Sequence, residues 1–308
     1  MMINLLAFFI GAVLLYYGAE FLISGSRILA KKFNISPVLV GITLVAFGTS
    51  LPELIVSFIA IIKGDSGFVI GNVIGSNIAN IGLVLGVTSI IVPIFLSYRK
   101  IKYDLYFLLF ITLLLLLFIY QGELGIIQGL IFIFLLILYC WYLYKKNNII
   151  DDDYDGDYKD SYWSLSFKIL VGILGLGLGA NLFVMGAKGI AIFLGVPSIV
   201  IGMSIVAIGT SLPELATSIS AARYNQSGLI IGNIIGSNII NIIVVLGITV
   251  IYKPINIKFS EIIIQGIIIF AITILLLVLL KIKGGISRNS GFLLLFIYLL
   301  FLYLNFNY

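Results

Sequence analysis

Gly48-Thr49-Ser50-Leu51-Pro52-Glu53 sets a carboxylate, two hydroxyls and a helix-breaking proline inside a long apolar run. The same letters return at Gly209-Thr210-Ser211-Leu212-Pro213-Glu214, 161 residues later in a chain of 308. Each copy is followed by a second matched segment, Gly71-Asn72-Val73-Ile74-Gly75-Ser76-Asn77-Ile78-Ala79-Asn80 and Gly232-Asn233-Ile234-Ile235-Gly236-Ser237-Asn238-Ile239-Ile240-Asn241. That pair has the same offset, so whole halves of the chain are duplicated.

The apolar background is too rich for a soluble domain: 61% of residues are hydrophobic, 10% are charged and the mean hydropathy is +1.22. An all-α polytopic membrane protein follows. A span needs about 20 mostly apolar residues, so the chain holds about ten. The apolar runs place them near 3–26, 37–62, 67–93, 103–121 and 125–144, then 163–187, 197–222, 227–251, 260–280 and 287–305. Two five-helix repeats, 1–144 and 163–308, are thus joined by a linker at 145–162. An odd number of spans per repeat inverts the second copy relative to the first, a plan common among secondary transporters. The apolar N-terminus, without a basic leader region, reads as the first span rather than a cleaved signal.

Charge sets orientation. Fourteen of the 18 Lys and Arg residues fall on one side of these spans, and only Lys63, Lys188, Lys253 and Lys258 on the other. Basic residues mark cytoplasmic loops, which places both termini outside and the linker in the cytoplasm; the plasma membrane is the expected location. The net charge of +5 is therefore assigned to cytoplasmic loops, and no nucleic acid partner is expected. The linker carries Asp151, Asp153, Asp155 and Gly156 in the order of an EF-hand loop, but Tyr162 stands where a bidentate Glu is required. It reads as a solvated acidic linker, with weak calcium sensing as the alternative. Cys140 has no partner cysteine and histidine is absent, which removes disulfide frameworks and imidazole-based metal sites.

Of the 13 acidic residues, Glu20, Glu53 and Glu214 fall well inside predicted spans. A charged carboxylate at the bilayer centre costs at least about 2.5–3.5 kcal/mol, so such residues mark ion or substrate pathways unless a cation neutralises them. Glu20 has Arg27 two turns away on the same helix face and is expected to pair with it; its repeat counterpart is the uncharged Asn181. Glu53 and Glu214 have no such partner and lie near mid-span. On one continuous helix Thr49 and Ser50 would share a turn with Glu53, as Thr210 and Ser211 would with Glu214. Pro52 and Pro213 would free the carbonyls of Gly48 and Gly209. Ser76 with Asn80, and Ser237 with Asn241, are also i, i+4 pairs, although Ser76 or Asn77 alone reads equally as an interhelical hydrogen-bond former. The Gly71-xxx-Gly75 and Gly232-xxx-Gly236 pairs allow close helix approach. All of these donors are oxygens, which suits calcium, with its six to eight oxygen ligands, and sodium of similar radius.

At these residues the sequence resembles the sodium/calcium exchanger family of the cation/calcium antiporter superfamily, whose alpha-repeats look like segments 41–81 and 202–242. The resemblance implies a central cation site with Glu53 and Glu214 as main calcium ligands. Thr49, Ser50, Ser76, Asn80, Thr210, Ser211, Ser237 and Asn241 would complete the calcium and sodium sites, with backbone carbonyls at Ala46 and Ala207. It also implies that the first and sixth spans slide across the other eight, and the glycines at 11, 18, 25, 172, 175, 177, 179 and 186 fit close contact between them. Many family members carry an acidic residue where this chain has Asn241, so the expected site bears two formal negative charges.

The expectation is a secondary antiporter, not an enzyme, that exports Ca2+ in exchange for Na+. Its partners are the two ions and membrane lipid; no cofactor and no obligate protein partner are expected. A proton-coupled or potassium-dependent calcium antiporter uses the same residues and would follow a pH or potassium gradient. A cation channel would show large conductance without counterflow, and an intramembrane enzyme lacks a nucleophile with a metal cluster.

Overall fold

The computed structural model describes residues 1–146, 161–194, 207–256 and 259–306. Most of the acidic linker and residues 197–206, the start of the expected seventh span, lie outside the described residues. The elements are α1 (Met2–Lys32), α2 (Pro37–Thr49), α3 (Leu51–Ile62), α4 (Ser66–Ile91), α5 (Tyr98–Tyr120) and α6 (Ile126–Lys146), then α7 (Tyr162–Phe193), α8 (Ala207–Gly209), α9 (Leu212–Arg223), α10 (Ser227–Tyr252), α11 (Phe259–Lys283) and α12 (Arg288–Phe306). Among the described residues seven helices are long and apolar enough to cross a membrane, and the bent pair α2 and α3 makes an eighth. The chain is a helical polytopic membrane protein.

Local chemistry sets the helix ends. Ser36 caps α2 by accepting the Leu39 N–H at 3.2 Å, and Asp65 does the same for α4 through Phe68 N–H at 3.0 Å. Gly64, with φ at +84°, makes the left-handed turn between α3 and α4. The expected continuous span over 37–62 is broken at Ser50, where the chain bends by 43° between α2 and α3. Ser50 has φ −87° and ψ 2°, and Ser211 repeats this with φ −88° and ψ 6°. Pro52 and Pro213 therefore stand in the first turn of new helices, where a missing N–H costs nothing, rather than kinking a continuous one.

Packing places α4 and α10 at the centre. Their most apolar windows are 72% and 83% buried, against 22% for α6. The outer helices turn Phe, Leu, Ile and Trp side chains outward, as in Phe134, Trp141 and Phe296, the surface that lipid would cover. Each central helix carries a π-helical turn, Asn80–Leu85 in α4 and Asn241–Leu246 in α10.

The two halves are interlocked. Strand β1 (Ile94–Phe95) pairs antiparallel with β4 (Gly285–Ile286), and β2 (Glu123–Leu124) pairs with β3 (Ile255–Asn256), so each short ribbon joins one half to the other. Helices α1 and α7 run against each other along most of their length. A Cβ on Gly172 would lie 2.6 Å from Leu22 N, one on Gly179 2.7 Å from Leu15 N and one on Gly18 2.8 Å from Leu176 N. Backbone thus touches backbone, and a side chain at these positions would force the helices apart. Gly177 departs from the expectation, with no described atom within 4 Å. Gly232 packs its Cα against Gly41, and Gly236 lies against Ile42 and Ala46. A Cβ on Gly71 or Gly75 would meet no described atom within 4 Å.

Two expectations about acidic residues are corrected. Glu20 accepts hydrogen bonds from Ser220 Oγ at 2.9 Å and Tyr224 Oη at 2.8 Å, and pairs with Arg223 at 3.7 Å across the α1–α9 interface. Arg27 instead lays its guanidinium over the Tyr224 ring at 4.2 Å. Helix α5 begins five residues before its expected start, which buries Asp104 against Lys146 and the Tyr139 hydroxyl of α6. Asp104 is therefore a further buried carboxylate, and it has its cation.

Candidate cation-binding site

The break at Ser50 ends α2 and opens α3 with Glu53 in its first turn, and the break at Ser211 does the same for Glu214 in α9. Both glutamates are fully buried. Ser50 Oγ and Ser237 Oγ each lie 3.4 Å from Glu214 Oε1 and donate to it. Thr49 Oγ1 sits 3.3 Å from Ser237 Oγ, Asn233 Oδ1 and the Ala46 carbonyl. Ser76 Oγ and Thr210 Oγ1 are 3.4 Å apart. The expected pairing of hydroxyls with the carboxylate of their own turn is replaced by pairing across the repeats. The bend explains it: Thr49 and Glu53 belong to helices that diverge, and α10 and α9 of the other repeat fill the gap.

A second layer lies in the π-helical turns. Asn80 Nδ2 donates to Asn238 Oδ1 at 3.1 Å, and Asn241 Nδ2 donates to Asn77 Oδ1 at 3.1 Å. Asn77 Nδ2 donates to the Asn238 carbonyl at 3.2 Å, and Asn238 Nδ2 to the Asn77 carbonyl at 3.5 Å. The i, i+4 partnership of Ser76 with Asn80 and of Ser237 with Asn241 is thus replaced by an asparagine quartet that spans both halves. The turn after Asn80 packs on α9, which carries Glu214, and the turn after Asn241 packs on α3, which carries Glu53.

What remains unpaired defines the chemistry. Glu53 Oε1 and Oε2, Glu214 Oε2, Asn80 Oδ1, Asn241 Oδ1 and Ser211 Oγ are buried with no hydrogen-bond partner among the described residues. Buried polar atoms are normally satisfied, because desolvation without a partner costs about 1–3 kcal/mol each and more for a charge. Five of these six atoms are acceptors only, so a cation satisfies them where a further acceptor would not. Among the described residues no Lys or Arg is buried to serve. Ala46 contributes a carbonyl that already accepts from Ser50 N–H at 3.0 Å, and Ala207 is the first residue of α8.

The quartet residues Asn77 and Asn238, and Asn233 beside Thr49, were not singled out as site residues by spacing. Their signal was the duplication itself: each is an asparagine kept in both copies of the second segment. A groove of about 250 Å3 runs between α1 and α9 from Leu212, near the glutamate break, to Glu20, Ser220 and Arg223.

Buried oxygen acceptors between two like halves of a helical membrane protein define a class, the membrane carriers of small cations. The chain belongs to the sodium/calcium exchanger protein family, whose sequence profile matches residues 3–145 and again 165–307. It is 32% identical to the sodium/calcium exchanger MaX1 of Methanosarcina acetivorans, over 97% of both chains. An uncharacterised membrane protein of Methanocaldococcus jannaschii is 37% identical over 76% of this chain and 77% of its own length. The solved structure of the sodium-calcium exchanger NCX_Mj, soaked with zero Na+ and Ca2+, superposes with a TM-score of 0.85 at 34% identity over 97% of both chains.

Proposed function

We propose that the chain is a secondary antiporter that moves Ca2+ out of the cell against Na+ moving in, by alternating access at one shared site. The observation that carries this reading is the set of buried acceptor oxygens from Glu53, Glu214, Asn80 and Asn241 that have no hydrogen-bond partner among the described residues. Family membership and the relatives' names support the choice of ions. In this reading Glu53 and Glu214 are the main calcium ligands. Thr49, Ser50, Ser76, Asn80, Thr210, Ser211, Ser237, Asn241 and the carbonyls of Ala46 and Ala207 complete the calcium and sodium positions.

Coupling follows from charge. With residue 241 an asparagine, the site holds two formal negative charges, which one Ca2+ neutralises. Left bare in a closed site, those charges are costly, so the empty carrier rarely crosses between its inward and outward states. Each crossing then carries an ion set, and the sodium gradient drives calcium the other way.

The same reading gives ten spans as two inverted five-helix repeats, with the α2 and α3 pair, and α9 with the residues before it, as the second and seventh. The cross-repeat ribbons and the repeat-to-repeat asparagine contacts support it. It puts both termini outside and the linker in the cytoplasm, on the distribution of Lys and Arg, and the protein in the plasma membrane, across which calcium would leave the cell. Helices α1 and α7, in backbone contact through their glycines, form the pair that slides against the rest.

The test is calcium uptake into proteoliposomes under three separate gradients. Uptake that requires internal Na+ and ignores K+ or a pH gradient supports sodium/calcium exchange. Uptake driven by the pH gradient without Na+ moves the function to the proton-coupled class.

A further inference from the structure

The asparagine quartet decides which way two of the candidate ligands face. A side-chain amide has one accepting and one donating end, and its orientation is fixed only by what surrounds it. Here the chain of dependence starts from backbone. The Asn238 carbonyl can only accept, so Asn77 must turn its Nδ2 to it, at 3.2 Å. Asn77 Oδ1 then faces Asn241, which must donate, at 3.1 Å, and Asn241 Oδ1 is left buried with no partner among the described residues. The same sequence runs in the other half: the Asn77 carbonyl orients Asn238, whose Oδ1 takes the Asn80 Nδ2, leaving Asn80 Oδ1 without a partner among the described residues.

We propose that Asn77 and Asn238 are positioning residues, which hold the amides of Asn241 and Asn80 so that each offers its carbonyl oxygen, rather than its NH2, to a cation. The inference rests on the reading of Asn80 and Asn241 as cation ligands. Because Asn77 belongs to one repeat and Asn241 to the other, the device also ties ligand orientation to the contact between α4 and α10. A separation of those helices that broke the Asn77–Asn238 contacts would release both amides together. Partners that orient first ligands in this way commonly change metal affinity by about 10–100-fold when removed.

The experiment measures Ca2+ binding to the purified full chain by calorimetry in Na+-free detergent, alongside Na+-driven uptake in proteoliposomes. Asn77→Leu removes the clamp at nearly constant volume and is expected to weaken Kd by about tenfold or more, with the maximal uptake rate per folded molecule changed less than about threefold. Asn238→Leu is expected to match it through Asn80. The double variant Asn77→Leu/Asn241→Leu should bind no more weakly than Asn241→Leu alone, because a residue that acts only through another adds nothing once that other is gone. Asn77→Asp keeps the acceptor for Asn241 Nδ2 and should stay closer to the native Kd than Asn77→Leu; it also serves if the leucine variant does not fold.

A Kd unchanged by Asn77→Leu overturns the proposal, and so do losses that multiply in the double variant or equal losses in the leucine and aspartate variants. So does an Asn241→Leu variant that binds like the native chain. If the native chain binds Ca2+ with the expected variant pattern yet shows no Na+-driven uptake, the exchange reading fails and the positioning role stands.

Discussion

Ser50 Oγ lies 3.4 Å from Glu214 Oε1, so a hydroxyl of the first repeat serves the carboxylate of the second. The two carboxylates are not equally provided for. Glu214 receives Ser50 and Ser237 on one oxygen, whereas both oxygens of Glu53 lack a donor among the described residues. Hydrogen bonds to a charged group are worth about 1.5–3 kcal/mol, and about 1.4 kcal/mol is a tenfold change in affinity. Ser50→Ala is therefore expected to raise the half-saturating Ca2+ concentration by about tenfold. Flux titrations on Ser50→Ala would count against this geometry if the native value persisted.

The α1–α7 contact yields a paired prediction. A methyl group at Gly179 would meet Leu15 N at 2.7 Å, whereas Gly177 has nothing described within 4 Å. Gly179→Ala should lower both the thermal unfolding midpoint in detergent and the transport rate, since two packed helices must part to admit it. Gly177→Ala should leave both unchanged. Equal behaviour of the two variants would show that backbone contact between these helices is not what the glycines provide.

Asp104 is expected to matter for stability and not for ions. It is fully buried and holds Lys146 and Tyr139, which joins α5 to α6. Removing one member of such a pair leaves a charge without its counterion and costs up to about 3–5 kcal/mol, while replacing both by apolar residues is often neutral. Asp104→Leu should therefore melt well below the native chain, and Asp104→Leu/Lys146→Met should regain most of the loss. Calcium affinity should be native in the double variant; a large change in it would move Asp104 into the transport site.

At the α1–α9 interface the hydroxyls outweigh the ion pair. Arg223 sits 3.7 Å from Glu20 with more than half its side chain exposed, and exposed pairs contribute about 0–1 kcal/mol. Ser220 and Tyr224 hold the same carboxylate at 2.9 and 2.8 Å. Arg223→Ala should thus change transport less than about fivefold, and Tyr224→Phe/Ser220→Ala more. The reverse ranking in uptake assays would mean that the guanidinium is the principal contact.

Much of this architecture was legible in the sequence because it is written twice. The offset between Glu53 and Glu214 marks the duplication, the mid-span glutamates without cations point to the buried acceptor oxygens, and most of the glycines of α1 and α7 fit the close contact between those helices. What escaped was cross-repeat. Spacing rules of i, i+3 and i, i+4 see only one helix, so they assigned Ser50 to Glu53, Ser76 to Asn80 and Glu20 to Arg27. In the fold, these side chains are taken by Glu214, Thr210 and the Ser220, Arg223 and Tyr224 group. The helix break at Ser50 was also hidden, because a proline reads alike as a kink or as the first turn of a new helix. Asp104 was missed for a simpler reason: α5 starts earlier than its apolar run, and the charged residue at the edge of that run is buried against α6.

In the proposed function the twin glutamates form one shared site through which sodium drives calcium. Calcium uptake into Na+-loaded proteoliposomes diluted into Na+-free buffer, comparing the native chain with Glu53→Gln and Glu214→Gln, tests it most directly. Uptake that needs internal Na+ and is abolished in each variant, with both variants still folded, is the expected result. Native-like uptake in either variant would contradict it.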